Sequence, residues 1–134
     1  MKKVLFLCTH NSARSQMAEG WLNHLCSNNY IACSAGTEPS AVNPYVIQVM
    51  KDAGIDLSTH TAKSVNDFVS QDFDYIVTVC DHAKEACPYF PGGKTCLHQS
   101  FQDPSGFTGT EAEILAHVTT VSEEIRQWII KTFK

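Results

Sequence analysis

The apolar run Val4-Leu5-Phe6-Leu7 breaks into Cys8-Thr9-His10-Asn11-Ser12-Ala13-Arg14-Ser15, and a helical pattern starts near Gln16. No other stretch constrains the chain as strongly. A continuous apolar run marks a strand buried on both faces, as in a parallel sheet. A loop between such a strand and a helix N-terminus points several backbone N–H groups inward at the positive end of the helix dipole, which suits a tetrahedral oxyanion. Thr9, His10, Asn11, Ser12 and Ala13 supply those amides, and Arg14 adds a planar bidentate clamp on two anion oxygens. Cys8 lies at the bottom of this cradle, where the N–H dipoles and the guanidinium favour the thiolate. Ser15 is placed to donate a hydrogen bond to the same sulfur. The plainer alternative is a strand ending in a buried cysteine and a helix capped by Asn11 or Ser12. The strand before, the helix after and the serine beside the arginine favour the catalytic reading.

Further along, Met17, Trp21, Leu22 and Leu25 recur at helical spacing, and Asn28-Asn29 ends that helix. Tyr30 to Ser34 reads as a second strand closed by Ala35-Gly36. Asn43-Pro44 opens a second helix, with Val46, Ile47, Val49 and Met50 inward and Gly54 as its stop. Ser58 to Ser64 is polar and irregular and approaches the site from the side. Phe73 to Val79 is a third strand that delivers Cys80 at its end. Cys80 to Cys87 has no clear period, Lys94 to His98 forms a short fourth strand, and Asp103-Pro104-Ser105-Gly106 is a turn. Ile114, Val118, Val121, Ile125, Trp128 and Ile129 make one stripe on a helix from about Glu111 to Thr132. Alternating strands and helices predict a single α/β domain over residues 1–134: a four-stranded parallel sheet in the order 2-1-3-4, with helices on both faces. The ligand belongs at the carboxyl ends of the first and third strands, where the order switches, so Cys8 and Cys80 fall on neighbouring strand ends.

The 134 residues suffice for one core without disulfide support, and a net charge of −4 leaves no basic footprint for nucleic acid or anionic membrane. No apolar run approaches 18 residues, and Met1-Lys2-Lys3 leads into a strand-like segment. The expectation is a cytoplasmic protein, in which six cysteines serve chemistry or burial.

Cys80 and Cys87 are seven residues apart. In a helix, a rise of about 1.5 Å per residue would separate their Cα atoms by roughly 10 Å, beyond the ~7 Å limit for a disulfide. Pairing them would unwind the segment, which makes them a candidate redox switch beside an activated Cys8. Asp103, ahead of a proline in a loop, can be held over the anion as a general acid, or can simply open a turn. Cys26 and Cys33 read as core residues, and His24 and His117 as helix-surface histidines. His10 and His60 fall near the site. Cys80, His82, Cys87, Cys96 and His98 raise a zinc alternative, but their spacings match no compact motif. No metal and no cofactor is expected. Asn11, Glu19, Ser34, Thr61 and Lys63, taken singly, read as capping or solvated groups.

These residues together resemble the thioredoxin-coupled arsenate reductases built on the low-molecular-weight protein tyrosine phosphatase fold. The likeness runs through Cys8 to Gly20, Ser34-Ala35-Gly36, Asn43-Pro44, His60-Thr61, Val77 to Cys80, Cys87-Pro88 and Asp103-Pro104. The Cys-x5-Arg-Ser loop is common to both branches. The phosphatases usually read Met-Asp-x-x-Asn after the third strand and Asp-Pro-Tyr in the acid loop, whereas this chain has Cys80-Asp81-His82 and Asp103-Pro104-Ser105. The resemblance implies that Cys8 attacks arsenate, Arg14 and the loop amides hold the oxyanion, and Asp103 protonates the leaving oxygen. It implies further that Cys80 attacks Cys8 with release of arsenite, and that Cys87 resolves the disulfide to Cys80/Cys87. Thioredoxin, or glutaredoxin in some relatives, then reduces that bond. Alternatives are a phosphatase with regulatory thiols and a thiol-based metal or oxidant sensor. Two positions depart from the family: His10 stands where relatives often have glycine, and Lys63 stands where potassium-binding reductases have an aspartate beside residues matching Asn11, Glu19, Ser34 and Thr61.

Overall fold

Residues 1–80, 90 and 92–134 are described by the computed structural model. Strand β1 (Lys2–Cys8) lies between β2 (Tyr30–Gly36) and β3 (Phe73–Thr78), with β4 (Gly93–His98) outside β3. All pairings are parallel and the order is the expected 2-1-3-4. A central parallel strand is covered on both faces, which is why Val4, Leu5, Phe6 and Leu7 are fully buried and why that segment needs no polar side. The register sets Leu7 beside Ala35 and Thr78, and Cys8 beside Gly36. Val79 extends β3 by donating its N–H to the Leu7 carbonyl at 2.9 Å, so the chain passes to Cys80 while still tied to the end of β1. Cys87, and the helix considered between Cys80 and Cys87, lie outside the described residues.

Helices α1 (Arg14–Leu25), α2 (Pro44–Asp52) and α3 (Glu111–Phe133) join one core cluster with Val4, Phe6 and Val77 of the sheet. The opposite face, carrying Leu5, Leu7 and Ile76, meets Phe73, Phe90 and the 3-10 turn Val65–Phe68. Asn43 caps α2 by accepting the Tyr45 N–H at 2.9 Å, and Gly54, at φ 88°, stops it as expected. Thr110 and Glu113 form a capping box at the start of α3. Of the stripe read for α3, Val118, Val121, Ile125 and Ile129 are buried, whereas Ile114 and Trp128 sit half-buried at its rim. Ser122 is buried in the same stripe, accepting the Trp21 indole N–H at 3.0 Å and facing the Met50 sulfur at 3.4 Å.

Helix α1 is unlike a surface helix. Every residue from Arg14 to Leu22 is buried, including the polar Ser15, Gln16 and Glu19. Those groups need internal partners, and the partners lie behind the loop between β1 and α1. Among the described residues no helix is long and apolar enough to cross a membrane.

Candidate active site

Cys8 ends β1 with 2 % of its surface exposed, and its sulfur lies 2.8 Å from the Ser15 hydroxyl. Asn11 donates its amide N–H to that hydroxyl oxygen at 2.8 Å, leaving the serine proton free to point at the sulfur. The Asn11 amide is oriented without ambiguity, because its Oδ1 accepts from Gln16 Nε2 at 2.9 Å and from the Lys63 backbone N–H at 2.8 Å. Its backbone sits at φ 50°, a left-handed conformation that asparagine tolerates better than most residues. Asn11 is thus no helix cap. The residue before α1 is Ala13, and no side chain caps the helix.

A buried polar layer supports this arrangement. Gln16 Nε2 also donates to the Thr61 carbonyl at 3.0 Å, while its Oε1 lies 3.1 Å from His60 Nδ1. The same His60 nitrogen is 3.2 Å from Glu19 Oε2. Both neighbours are acceptors, so Nδ1 carries the ring proton. Glu19 Oε1 accepts the Ser34 hydroxyl at 2.8 Å and lies 3.7 Å from the Lys63 ammonium. Asn11, Glu19, Ser34, Thr61 and Lys63 are therefore joined behind the loop, not separate solvated groups. Gln16 has no distinguishing spacing of its own. The signal that points to it is the burial of a polar first turn directly after the loop.

The outer side of the loop is laced to the segment after β2. The Thr9, His10 and Ser12 carbonyls accept the backbone N–H groups of Glu38, Ser40 and Asn43 at 2.9, 3.0 and 2.8 Å. In a planar trans peptide the N–H points opposite to the C=O. Fixing these carbonyls on the segment turns the N–H groups of His10, Asn11 and Ala13 away from it. Gly36 permits the close approach, since a Cβ there would fall 2.5 Å from the Thr9 carbonyl oxygen and 2.9 Å from the Asn11 nitrogen.

Arg14 is buried, its Nη2 3.6 Å from Asp103 Oδ2 and its Nη1 3.4 Å from the Phe101 carbonyl. Asp103 caps the 3-10 turn Pro104–Gly106, accepting the Ser105 backbone N–H at 3.0 Å and hydroxyl at 2.8 Å. It both opens a turn and faces the guanidinium. Cys80 is fully buried and disulfide-bonded, while Cys8, Cys26, Cys33 and Cys96 carry free thiols. Burial, followed by the nearby Glu19 carboxylate, pushes the Cys33 thiol up from its ordinary range. Cys26 is buried at the end of α1, and His24 and His117 are exposed on their helices. Cys96 is exposed on β4, and His98 Nδ1 lies 2.7 Å from the Thr78 hydroxyl. Cys87 and His82 lie outside the described residues.

A cysteine and an arginine on one strand–loop–helix unit, with an aspartate brought in from beyond β4, make the arrangement expected from the sequence for a phosphatase-type site. The chain belongs to the low molecular weight phosphotyrosine protein phosphatase family, whose model matches residues 3–133. Within that family it is 42 % identical to an arsenate reductase of Halalkalibacterium halodurans, over 98 % of this chain and 94 % of the relative. Its structure is similar to that of an arsenate reductase in the reduced state, with a TM-score of 0.80 and 30 % identity over 98 % of this chain and 95 % of that one. It is also similar to the thioredoxin-dependent arsenate reductase of Corynebacterium glutamicum, with a TM-score of 0.64 and 26 % identity over 98 % of this chain and 63 % of that one.

Proposed function

We propose that the protein reduces arsenate to arsenite by a relay of Cys8, Cys80 and Cys87, with thioredoxin as the final reductant and the cytoplasm as its place of work. The observation that carries the reading is a free thiol at the end of β1, 2.8 Å from the Ser15 hydroxyl on the loop whose Arg14 faces Asp103, next to the strand that leads directly to a disulfide-bonded Cys80. A phosphatase of this architecture needs only the first half of that arrangement.

The loop amides from Thr9 to Ser15 and the Arg14 guanidinium bind the arsenate oxygens. Cys8 attacks arsenic as the thiolate, an As–S bond forms, and one oxygen leaves as water with a proton supplied by Asp103. Ser15 holds the sulfur on its line of attack, and Asn11 holds Ser15. Cys80 then attacks the Cys8 sulfur. A Cys8/Cys80 disulfide forms, the As–S bond breaks, and its electron pair stays on arsenic, so As(V) leaves as As(III) while two thiols become one disulfide. Cys87 attacks Cys80, releasing Cys8 as a thiolate and forming Cys80/Cys87. A dithiol protein reduces that bond, with electrons that balance those given to arsenic. The cysteines carry both electrons, so the relay calls for no metal or cofactor.

The test is arsenite formation with thioredoxin, thioredoxin reductase and NADPH, run beside glutaredoxin with glutathione. Sustained arsenite release in the first mixture supports the reading, and turnover in the second alone moves the partner to glutaredoxin. Hydrolysis of a phosphate ester without arsenite in either mixture would replace reduction by phosphatase chemistry.

A further inference from the structure

His10 is exposed at the third position of the oxyanion loop, yet its ring is not free. Nδ1 lies 3.0 Å from the Glu38 carbonyl oxygen. That oxygen can only accept, so Nδ1 carries the proton, whether the imidazole is neutral or charged. Glu38 is thereby held at both ends. Its N–H is given to the Thr9 carbonyl and its C=O receives the His10 ring, and after Pro39 the Ser40 N–H returns to the His10 carbonyl. Three hydrogen bonds join residues 9 and 10 to residues 38 and 40, two donated by the backbone of Glu38 and Ser40 and one by the His10 ring, and only the last of the three depends on a side chain.

We propose that His10 is a positioning residue for the oxyanion loop, a latch that fastens the segment around Glu38 to the loop and so keeps the His10 and Asn11 amides aimed at the bound anion. Glu38 and Ser40, the donors of the backbone bonds beneath the latch, are exposed residues, so water competes for their N–H groups once the segment lifts. A segment that lifts lets the Thr9 and His10 carbonyls rotate, and each rotating peptide takes its N–H with it. The latch therefore acts on anion affinity and leaves the later thiol steps alone. This deepens the reading of the loop as an oxyanion site but does not require that the anion be reduced.

The geometry specifies the test. An asparagine amide nitrogen sits on Cγ, at the place of Nδ1, whereas glutamine carries its amide one bond further out. His10→Ala, His10→Gln and His10→Asn are compared for inorganic phosphate binding by titration calorimetry, for KM and kcat with arsenate, and for melting temperature. Loss of one hydrogen bond predicts about two- to tenfold weaker phosphate binding and a matching rise in KM for the alanine and glutamine variants. The asparagine variant should return to the wild-type value, with kcat and melting temperature little changed throughout. Alanine binding phosphate as well as the wild type overturns the latch. So does glutamine rescuing as well as asparagine, which would make ring bulk the relevant property. Asparagine failing along with the other two overturns it as well, in favour of the imidazole's own charge or shape, as does a wild-type protein that does not bind phosphate. A wild type that binds phosphate but makes no arsenite leaves the comparison intact and removes only the reduction reading.

Discussion

Lys63 places its ammonium 3.7 Å from Glu19 Oε1 and 3.2 Å from the Thr61 carbonyl, inside the polar layer behind the loop. Glu19 is 7 % exposed, and a carboxylate so enclosed needs positive charge or several donors around it. Here Ser34 gives a hydrogen bond, the His60 ring nitrogen lies 3.2 Å away and Lys63 gives a tethered charge. A free cation offered to the same oxygens would meet that ammonium. Activity compared in sodium and potassium salts at equal ionic strength should therefore differ by less than about twofold, and Lys63→Asp, which removes the charge and adds an acceptor, should create a potassium-specific gain. A several-fold potassium gain in the wild type would show that Lys63 does not hold the place. Cys8 and Arg14 were legible in the sequence because their relation is local, set by one loop whose two ends announce themselves. The layer behind them was legible in part: His60 reads as near the site and the resemblance groups Asn11, Glu19, Ser34, Thr61 and Lys63, but no spacing announces their burial or the part of Gln16. Gln16, Glu19 and His60 come from α1 and from an irregular segment 40 or more residues away, and a polar residue's burial is decided by what other segments bring to it.

Among the elements, several long-range ties through polar side chains are announced by no pattern. Ser122 joins α3 to α1 and α2 through Trp21 and Met50. Ser122→Ala leaves the Trp21 N–H buried without its acceptor and should cost about 1–3 kcal/mol in urea unfolding, with KM for arsenate unchanged. At the amino ends of the strands, Asp74 accepts the Lys3 backbone N–H at 2.8 Å and lies 3.5 Å from the Lys94 ammonium, tying β3 to β1 and β4. That backbone bond, then the Lys94 and Lys2 charges, holds its carboxyl below the usual carboxylate range. A carboxyl lowered on folding stabilises the native state above its unfolded value of about 3.9, and the contribution is lost as pH falls through the folded value. The stability difference between wild type and Asp74→Asn should therefore be constant near neutrality and shrink below about pH 4. A difference that persists unchanged at pH 2 would assign it to packing. The periodic elements were legible throughout, since α3 and the strands carry their burial in their own spacing. Ser122 was hidden because one polar residue in an apolar stripe reads as an interruption until the facing helix supplies its partner.

At the scale of the molecule, the strand order decides which thiols can meet. Parallel β1 and β3 are neighbours, Leu7 pairs with Thr78, and the Val79–Leu7 hydrogen bond carries β3 to Cys80 beside the end of β1 that bears Cys8. Cys26 is buried at the end of α1, Cys33 lies mid-strand in β2, and Cys96 is on the edge strand β4. The relay predicts different failures for each position. Cys87→Ser should form one arsenite per protein and stop, trapped as a Cys8/Cys80 disulfide. Cys80→Ser should stop before arsenite is released, while slow phosphatase-like hydrolysis persists, because Cys8, Arg14 and Asp103 remain. Cys26→Ser should cost stability, through the loss of a buried group, with kcat within about twofold of the wild type. Cys96→Ser, on the exposed edge, should change neither. Peptide mapping of arsenate-treated variants under non-reducing conditions reads the disulfides directly, and rapid-quench assay of arsenite reads the stoichiometry. Sustained turnover of Cys87→Ser with thioredoxin would mean that the reductant attacks the Cys8/Cys80 bond itself. The neighbouring strand ends would then suffice for the chemistry, and Cys87 would be left without a part in it.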